Sequence, residues 1–122
     1  MFSSMRGKDD GKWEAMNREV ISRLDAGQTG QALTLARELF DYSRKAYGRK
    51  HKRTANALNN LGFILMMEGK LDEAESSLLA GLELGEKVYG KSSREVGFVN
   101  ANLSMLYMRK SGEIKNAREA KG

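Results

Sequence analysis

The fold is decided by residues 54–75, which read Thr-Ala-Asn-Ala-Leu-Asn-Asn-Leu-Gly-Phe-Ile-Leu-Met-Met-Glu-Gly-Lys-Leu-Asp-Glu-Ala-Glu. Seven consecutive non-polar residues at 61–67 make a helix that is apolar on every side, which predicts packing neighbours on several sides. Gly69 suits a helix C-terminal cap, and a second helical pattern follows it up to Gly90. The stretch 54–90 is therefore predicted to form a hairpin of two helices at the centre of the fold.

The sequence on both sides of this hairpin repeats it imperfectly, with a period of 42 residues. Moving the chain forward by one period places Gly27 on Gly69 and Asn60 on Asn102. Near the end the register shifts by one residue, because Gly69 then matches Gly112. Self-similarity at such a period is typical of stacked helical hairpins, each of which buries its apolar face against its neighbours.

These patterns predict an all-α fold, an α-α superhelix (solenoid) of about three helical hairpins. We expect a flexible lead-in at 1–12 and one domain at 13–121, whose repeats cover about 13–48, 54–90 and 96–121, the last one truncated. The six predicted helices lie at about 13–26, 30–47, 53–68, 71–89, 93–110 and 113–120.

Three local predictions accompany this arrangement. Thr29 is expected to cap the second helix, and the run 92–95 (Ser-Ser-Arg-Glu) has the spacing of a capping box, so the fifth helix is expected to start at Ser93. Gly62 lies inside a helix, where glycine costs about 1 kcal/mol relative to alanine. Such a cost indicates a close approach of two helix backbones, and we expect the small residue Ala74 opposite it.

The composition fits a helical domain held together by packing alone. The chain of 122 residues has neither proline nor cysteine, which excludes disulfides, a thiolate nucleophile and a metal site with cysteine ligands. No apolar run approaches the length of roughly 18 residues that a membrane-spanning helix needs, and the start lacks the apolar core of a signal peptide. We therefore expect a cytoplasmic protein without membrane contact.

The net charge of +5 comes from one segment. Residues 44–53 hold six basic residues and no acid, whereas the rest of the chain has 15 basic against 16 acidic residues. Such a basic loop could make the protein an accessory binder of nucleic acid. A solvated loop between repeats is the favoured interpretation, because Tyr47 is the only aromatic residue in the segment and base contact usually adds exposed aromatics.

Nothing in the sequence indicates catalysis, a metal or a cofactor. His51 is the single histidine, so a site with several histidines is excluded. The acids Asp72, Glu73 and Glu75 lie where they would complement a helix dipole. The run 27–30 (Gly-Gln-Thr-Gly) lacks the lysine and the preceding strand of a phosphate-binding loop.

The repeated hairpin resembles the tetratricopeptide repeat family over residues 13–121. The likeness rests on the spacing of large and small residues in the middle repeat, namely Leu58, Leu61, Gly62, Leu65, Ala74, Leu78 and Gly81. The long period and the string Leu-Asn-Asn-Leu-Gly are similar to the repeats of kinesin light chains. The chain departs from the family pattern at Val20 and Ser104, which replace the glycine, and in having no proline between repeats.

The resemblance implies a protein-protein interaction module whose first helices line a concave groove that holds a peptide. Carried over position by position, the groove residues are Asn17, Ile21, Asn59, Asn60, Phe63, Met67, Phe98, Asn102 and Met105. The asparagine amides could hold the backbone of an extended peptide, or they could bond neighbouring helices or water. The basic residues that bind acidic chaperone tails in some family members are missing from these positions.

The Met and Phe residues of the first helices leave a further alternative open. Methionine-rich surfaces adapt to varied apolar partners, but at helical spacing such residues are also common core residues. The interpretation favours core for Met66 and Met108, and groove for Phe63 and Met105. An apolar groove on a short array could also be covered by a second copy of the chain, which would make the domain a homo-oligomer.

Overall fold

The computed structural model describes residues 10–121, and this part of the chain contains five α-helices and no strand. They are α1 (Asp10–Asp25), α2 (Thr29–Tyr47), α3 (Lys52–Met67), α4 (Leu71–Val88) and α5 (Arg94–Lys121). The all-α class is therefore confirmed. Helix α1 begins before the predicted start at residue 13, and the rest of the predicted lead-in, 1–9, lies outside the described residues. None of the described helices is both long and apolar enough to span a bilayer.

Helices α1–α2 and α3–α4 form two hairpins that turn in the same way. Gly27 and Gly69 have φ values of 77° and 80°, a left-handed conformation that glycine adopts without steric cost. In each turn the N–H after the glycine donates to the carbonyl five residues earlier: Gln28 to Arg23 and Lys70 to Leu65, both at 2.9 Å. This is the hydrogen-bond pattern that ends helices at a left-handed glycine.

Helix α3 is the centre of the stack, as its apolar sequence predicts. Leu61, Ile64, Leu65 and Met66 are all buried, and α3 packs against α2, α4 and α5. A helix with core contacts on several sides cannot present a single apolar stripe. The continuous run at 61–67 is thus explained by the neighbours that surround it.

Gly62 lets α4 approach α3 closely, but the residue opposite it is not Ala74. A Cβ atom added at Gly62 would lie 2.6 Å from both Cγ and Cδ2 of Leu78, and 3.3 Å from the Leu78 backbone nitrogen. Leu78 is fully buried, so its side chain has little freedom to move away. Close packing was predicted correctly and its partner wrongly, because the leucine side chain itself fills the space above the glycine.

The last hairpin was predicted wrongly. Helix α5 continues from Arg94 to Lys121, so the separate sixth helix expected at 113–120 is absent from the described structure. Gly112 is not among the glycines with positive φ, which means that the chain does not turn there. The segment after Gly112 is mostly polar, and a continued helix satisfies its backbone groups without requiring an apolar face to pack.

Two helix starts also differ from the predictions. Thr29 is the first residue of α2 rather than its cap, and its hydroxyl donates to Glu68 Oε2 at 2.7 Å, which joins the first repeat to the end of α3. Helix α5 begins at Arg94, and the Ser93 side chain accepts a hydrogen bond from the Val96 N–H at 3.2 Å. Ser93 is therefore the cap of α5, and the helix begins one residue later than expected.

Candidate peptide-binding surface

The candidate surface is formed by α1, α3 and α5, which are the first helices of successive repeats. One repeat position places an apolar residue on each of them: Ile21, Phe63 and Met105, each one period from the next. Ile21 is 44% exposed and Met105 is 39% exposed, whereas Phe63 is partly buried and packs against the core. The three helices thus carry an apolar row in which only the middle residue, Phe63, packs against the core.

Asparagine pairs lie next to this row and join neighbouring helices. Asn60 Nδ2 donates to Asn17 Oδ1 at 2.9 Å, and Asn102 Nδ2 donates to Asn59 Oδ1 at 3.0 Å. The two pairs use the same two repeat positions, so one contact joins α1 to α3 and its copy joins α3 to α5. This geometry is the inter-helix bonding that the sequence left open beside peptide contact.

The pairing leaves hydrogen-bonding capacity for a ligand. An asparagine side chain has two N–H donors and a carbonyl oxygen that can accept twice. In the first pair the Asn17 amide donors and the Asn60 carbonyl oxygen are not used by the bond between the two residues. The same holds for Asn59 and Asn102 in the second pair. A peptide backbone, which alternates donors and acceptors, is chemically complementary to such groups.

The α5 side of the surface carries the most exposed apolar residue of the predicted groove set. Phe98 is 57% exposed and shares one face of α5 with Asn102 and Met105, because the spacing of four and three residues repeats with the helix. Phe98 also lines a small pocket of about 40 Å³ together with Asn56 and Asn59 of α3. The structure therefore brings these residues of α3 and α5 together.

Met67 lies at the end of the surface, where α3 meets α5. It is exposed, and its sulfur accepts a hydrogen bond from Arg109 Nη2 at 3.5 Å. Arg109 is one period beyond Met67 and was not among the predicted site residues. The repeat alignment could have identified Arg109, since it aligns this cation with the apolar residue Met67.

The interpretation of the remaining methionines is half correct. Met66 is fully buried, as predicted, but Met108 is 73% exposed although it occupies the same repeat position. Tyr107 beside it is also exposed, whereas its repeat counterpart Leu65 is fully buried. Met108 was assigned to the core wrongly because no second helix packs on this face of α5 in the described structure.

Ion pairs connect the acids at the start of α4 to its neighbours, so these acids do more than complement a helix dipole. Lys110 Nζ lies 2.8 Å from Asp72 Oδ1 and 2.7 Å from Glu75 Oε1. These hydrogen bonds raise the pKa of Lys110 and lower the pKa values of both carboxyl groups. Glu73 pairs with Arg37 at 2.6 Å, which lowers the pKa of Glu73.

The prediction of a basic loop at 44–53 was wrong in its extent, because only residues 48–51 lie between helices and most of the cations lie in α2 and α3. Most of these cations are engaged in contacts inside the protein. Arg44 and Lys45 both pair with Asp41, at 2.7 and 3.0 Å. Arg53 pairs with Glu14 at 3.1 Å and stacks over the Trp13 ring. These contacts reduce the number of cations that the loop could offer to a phosphate backbone.

His51 has a structural place in this loop. Its Nδ1 atom accepts a hydrogen bond from the Arg53 N–H at 2.9 Å, which caps α3, and its ring lies 4.6 Å from the ring of Tyr47. Across residues 10–121 no group of three or more His, Asp or Glu side chains has an arrangement that could hold a metal ion.

The two turns share their glycine conformation and their hydrogen bonds, and the asparagine contacts recur, so the chain is a helical repeat. The comparison with known families shows which kind of repeat it is. The sequence model of the tetratricopeptide repeat matches residues 53–121, which cover α3, α4 and α5. The chain belongs to the tetratricopeptide repeat family. No curated protein matches the sequence. Tetratricopeptide repeats are in general non-catalytic modules for protein-protein interaction, which indicates protein partners. The finer likeness to kinesin light chains stays a prediction.

Proposed function

We propose that this tetratricopeptide repeat domain binds an extended peptide segment of a partner protein on the surface formed by α1, α3 and α5. The observation that supports the proposal is the apolar row of Ile21, Phe63 and Met105, which recurs on the first helix of each repeat and is exposed at both ends. Solvent-exposed apolar residues in a regular row favour contact with a partner.

In this proposal the two kinds of side chain have separate tasks. The apolar row and Phe98 hold apolar side chains of the peptide, and burial of such groups supplies most of the binding free energy. The asparagine pairs bind the peptide backbone with the donors and acceptors that they do not share with each other. Recognition of the backbone adds affinity without requiring a charged sequence, and the apolar contacts select the register of the peptide.

The proposal is tested with peptides selected from a random library on the immobilised protein and then measured by fluorescence anisotropy. Met105→Glu places a charge in the row, and we expect it to weaken binding by more than roughly tenfold, since an unpaired charge opposes an apolar contact. Met108→Glu is the matched control on the same helix, because Met108 is exposed and lies outside the row.

The asparagines are tested by the double variant Asn59→Ala and Asn60→Ala, with helix content followed by circular dichroism. We expect weaker peptide binding with unchanged helix content. Unchanged affinity would remove the amides from the mechanism, and equal losses in Met105→Glu and Met108→Glu would remove the row. A second copy of the chain is the alternative occupant; it predicts a solution mass that rises with concentration and falls back to the monomer in Met105→Glu.

A further inference from the structure

A second candidate surface lies on the opposite side of α3. Thr54 and Leu58 of α3 line a cleft of about 600 Å³, and at 100° per residue they point away from Asn60 and Phe63. The walls of the cleft come from α2 and α4, the second helices of the two hairpins. We propose that this cleft binds an acidic segment of a partner protein, with apolar side chains in the cleft and carboxylates on its rim.

The floor of the cleft is apolar. Phe40 of α2, Leu58 of α3 and Leu84 of α4 line it, together with Ala80 of α4. Phe40 is partly buried and packed against the core, so the floor is a fixed surface rather than a set of loose side chains. A cleft of this volume is within the range of about 300–1,000 Å³ that is typical of sites for small ligands. It has room for one or two apolar side chains of a partner.

The rim of the cleft is basic. Four cations line it, Arg44, Arg49, Lys50 and Lys87, against one acid, Glu83. Glu83 pairs with Lys87 at 3.2 Å, and Arg44 is paired with Asp41.

The loop after α2 supplies the remaining charge. Arg49 and Lys50 are exposed and form no ion pair within residues 10–121. The rim therefore keeps a positive excess directly beside an apolar floor, and the complementary ligand is apolar in its centre and negative at its edges.

The shape and the charge count favour a peptide over the other anionic partners. A nucleic-acid backbone needs a long series of cations, and single-stranded bases need exposed aromatic rings for stacking. This rim has two cations without an ion pair, and its aromatic residue, Phe40, is packed against the core. A bilayer surface could reach the rim but could not fill a recessed floor between two helices. This inference does not rest on the peptide surface of α1, α3 and α5.

The rim is tested with a fluorescein-labelled peptide that has Asp and Glu residues on both sides of a Leu-Phe pair. We expect saturable binding that weakens when salt rises from about 50 mM to about 300 mM, because the exposed charges are then screened. The double variant Arg49→Gln and Lys50→Gln should weaken binding roughly 2- to 30-fold, given about 0.2–1 kcal/mol for each exposed charge contact.

The control for this variant is Lys91→Gln with Arg94→Gln. Lys91 occupies the repeat position of Arg49, in the loop that follows α4, and Arg94 is the first residue of α5. Neither residue lines the cleft, so the control removes the same charge from outside it. It should change the affinity by less than about twofold, since neither side chain can contact the ligand in the cleft and exposed charges that make no contact are largely screened.

The floor is tested at Ala80, an exposed position on α4 where a longer side chain would enter the cleft without disturbing the core. Ala80→Glu adds a charge of the same sign as the ligand and should weaken binding by more than roughly tenfold. Ala80→Gln adds the same bulk without charge and should have a smaller effect. Met105→Glu, on the other surface, should leave the binding of this peptide unchanged.

Four results would overturn the inference: no saturable binding of the acidic peptide; equal binding of a peptide with Asn and Gln in place of the acids; equal losses in the rim variant and its control; or loss of binding in Met105→Glu. Binding of random-sequence duplex DNA, or of vesicles with anionic lipid, at least as tight as that of the peptide would also overturn it, because the site would then recognise phosphate. Thermal unfolding of every variant identifies those that fail to fold. If a variant fails, the inference is tested on the unaltered chain by the salt dependence of binding and by the comparison of the acidic peptide with its Asn and Gln version.

Discussion

Helices α3 and α5 are copies of one another in sequence, but they lie in different surroundings. Leu65 and Met66 of α3 are fully buried, whereas their repeat counterparts Tyr107 and Met108 are 43% and 73% exposed. The difference comes from the path of the chain beyond each of these positions. After α3 the chain turns at Gly69 and α4 packs back on it, but α5 continues past Gly112 without a turn.

A repeat position thus defines which contacts a residue can make, and the neighbouring helix determines whether the residue is buried. A single hairpin cannot bury its apolar face alone, and a helix without a neighbour on one side keeps that part of its face exposed. The closed pair α3–α4 and the open helix α5 therefore provide matched positions in one molecule, and three experiments test the contrast between them.

The largest effect is expected from truncating the two equivalent methionines. Met66→Ala should lower the free energy of unfolding by about 2–5 kcal/mol, because it removes a fully buried side chain and leaves a cavity. Met108→Ala should change it by less than about 0.5 kcal/mol, since the side chain is mostly in water already. Urea unfolding followed by circular dichroism measures both.

The comparison of Met66→Ala with Met108→Ala also shows whether another molecule covers the exposed face of α5 in solution. If Met108→Ala costs as much as Met66→Ala, the exposed face of α5 is covered in solution and the contrast is wrong. A cost that grows with protein concentration would identify a second copy of the chain as the cover, because stability is linked to association.

Smaller effects are expected at the glycine position of the repeat, and they should have opposite signs in α3 and α5. Gly62→Ala should destabilise the protein by about 1 kcal/mol, since the clash with Leu78, about 1–3 kcal/mol, exceeds the gain in helix propensity of about 1 kcal/mol. Ser104 has the same repeat position in α5 and is exposed, so Ser104→Ala should stabilise by a few tenths of a kcal/mol. Stabilisation by Gly62→Ala would mean that α4 does not approach α3 as closely as described.

The helical repeats could be predicted from the sequence because their signals are local. Gly27 and Gly69 end helices through a backbone conformation that glycine adopts freely, and the apolar run at 61–67 requires neighbours on several sides. The surroundings of α5 could not be predicted, because periodicity shows which residues are alike and not which neighbours are present. Met108 matches Met66 in sequence but has no helix to cover it in the described structure.

The surface of α1, α3 and α5 and the cleft between α2 and α4 also differ in how far the sequence predicts them. The row Ile21, Phe63 and Met105 was predicted from the family resemblance, which names the groove positions, and from the period, which places these three residues at one of those positions. The cleft between α2 and α4 could not be derived, because its volume depends on the distance between two helices that are not consecutive in the chain. The sequence analysis identified the basic segment at 44–53 but did not predict the apolar floor of the cleft beside it.

The smallest effect is expected at the ion pairs that fasten α5 to α4. Lys110→Met removes the partner of Asp72 and Glu75. It should reduce the stability of the protein at neutral pH by less than Met66→Ala or Gly62→Ala does. The loss should appear as faster hydrogen exchange in α5, because these contacts connect that helix to its closed neighbour.

The pH dependence of this loss follows from the pKa shifts of the three groups. The lowered carboxyl pKa values mean that the stabilisation is present above their unfolded value of about 4 and is lost as pH falls through the folded values. The raised pKa of Lys110 means that the stabilisation is present below the unfolded value of about 10.4 and is lost as pH rises through the folded one. The original chain and Lys110→Met should therefore differ fully between about pH 4 and about pH 10, and the difference should shrink as pH moves beyond that window through the folded pKa values.

The control for this prediction is Lys115→Met, which removes a charge from an exposed position of the same helix. It should leave the exchange rates of α5 near α4 unchanged across the pH range. If Lys110→Met and Lys115→Met behave alike, the attachment of α5 depends on its apolar contacts alone, with Val96, Val99, Leu103 and Leu106 buried along the helix. The open helix would then be held by the same kind of packing as the closed hairpins, and charge would contribute nothing to the difference between them.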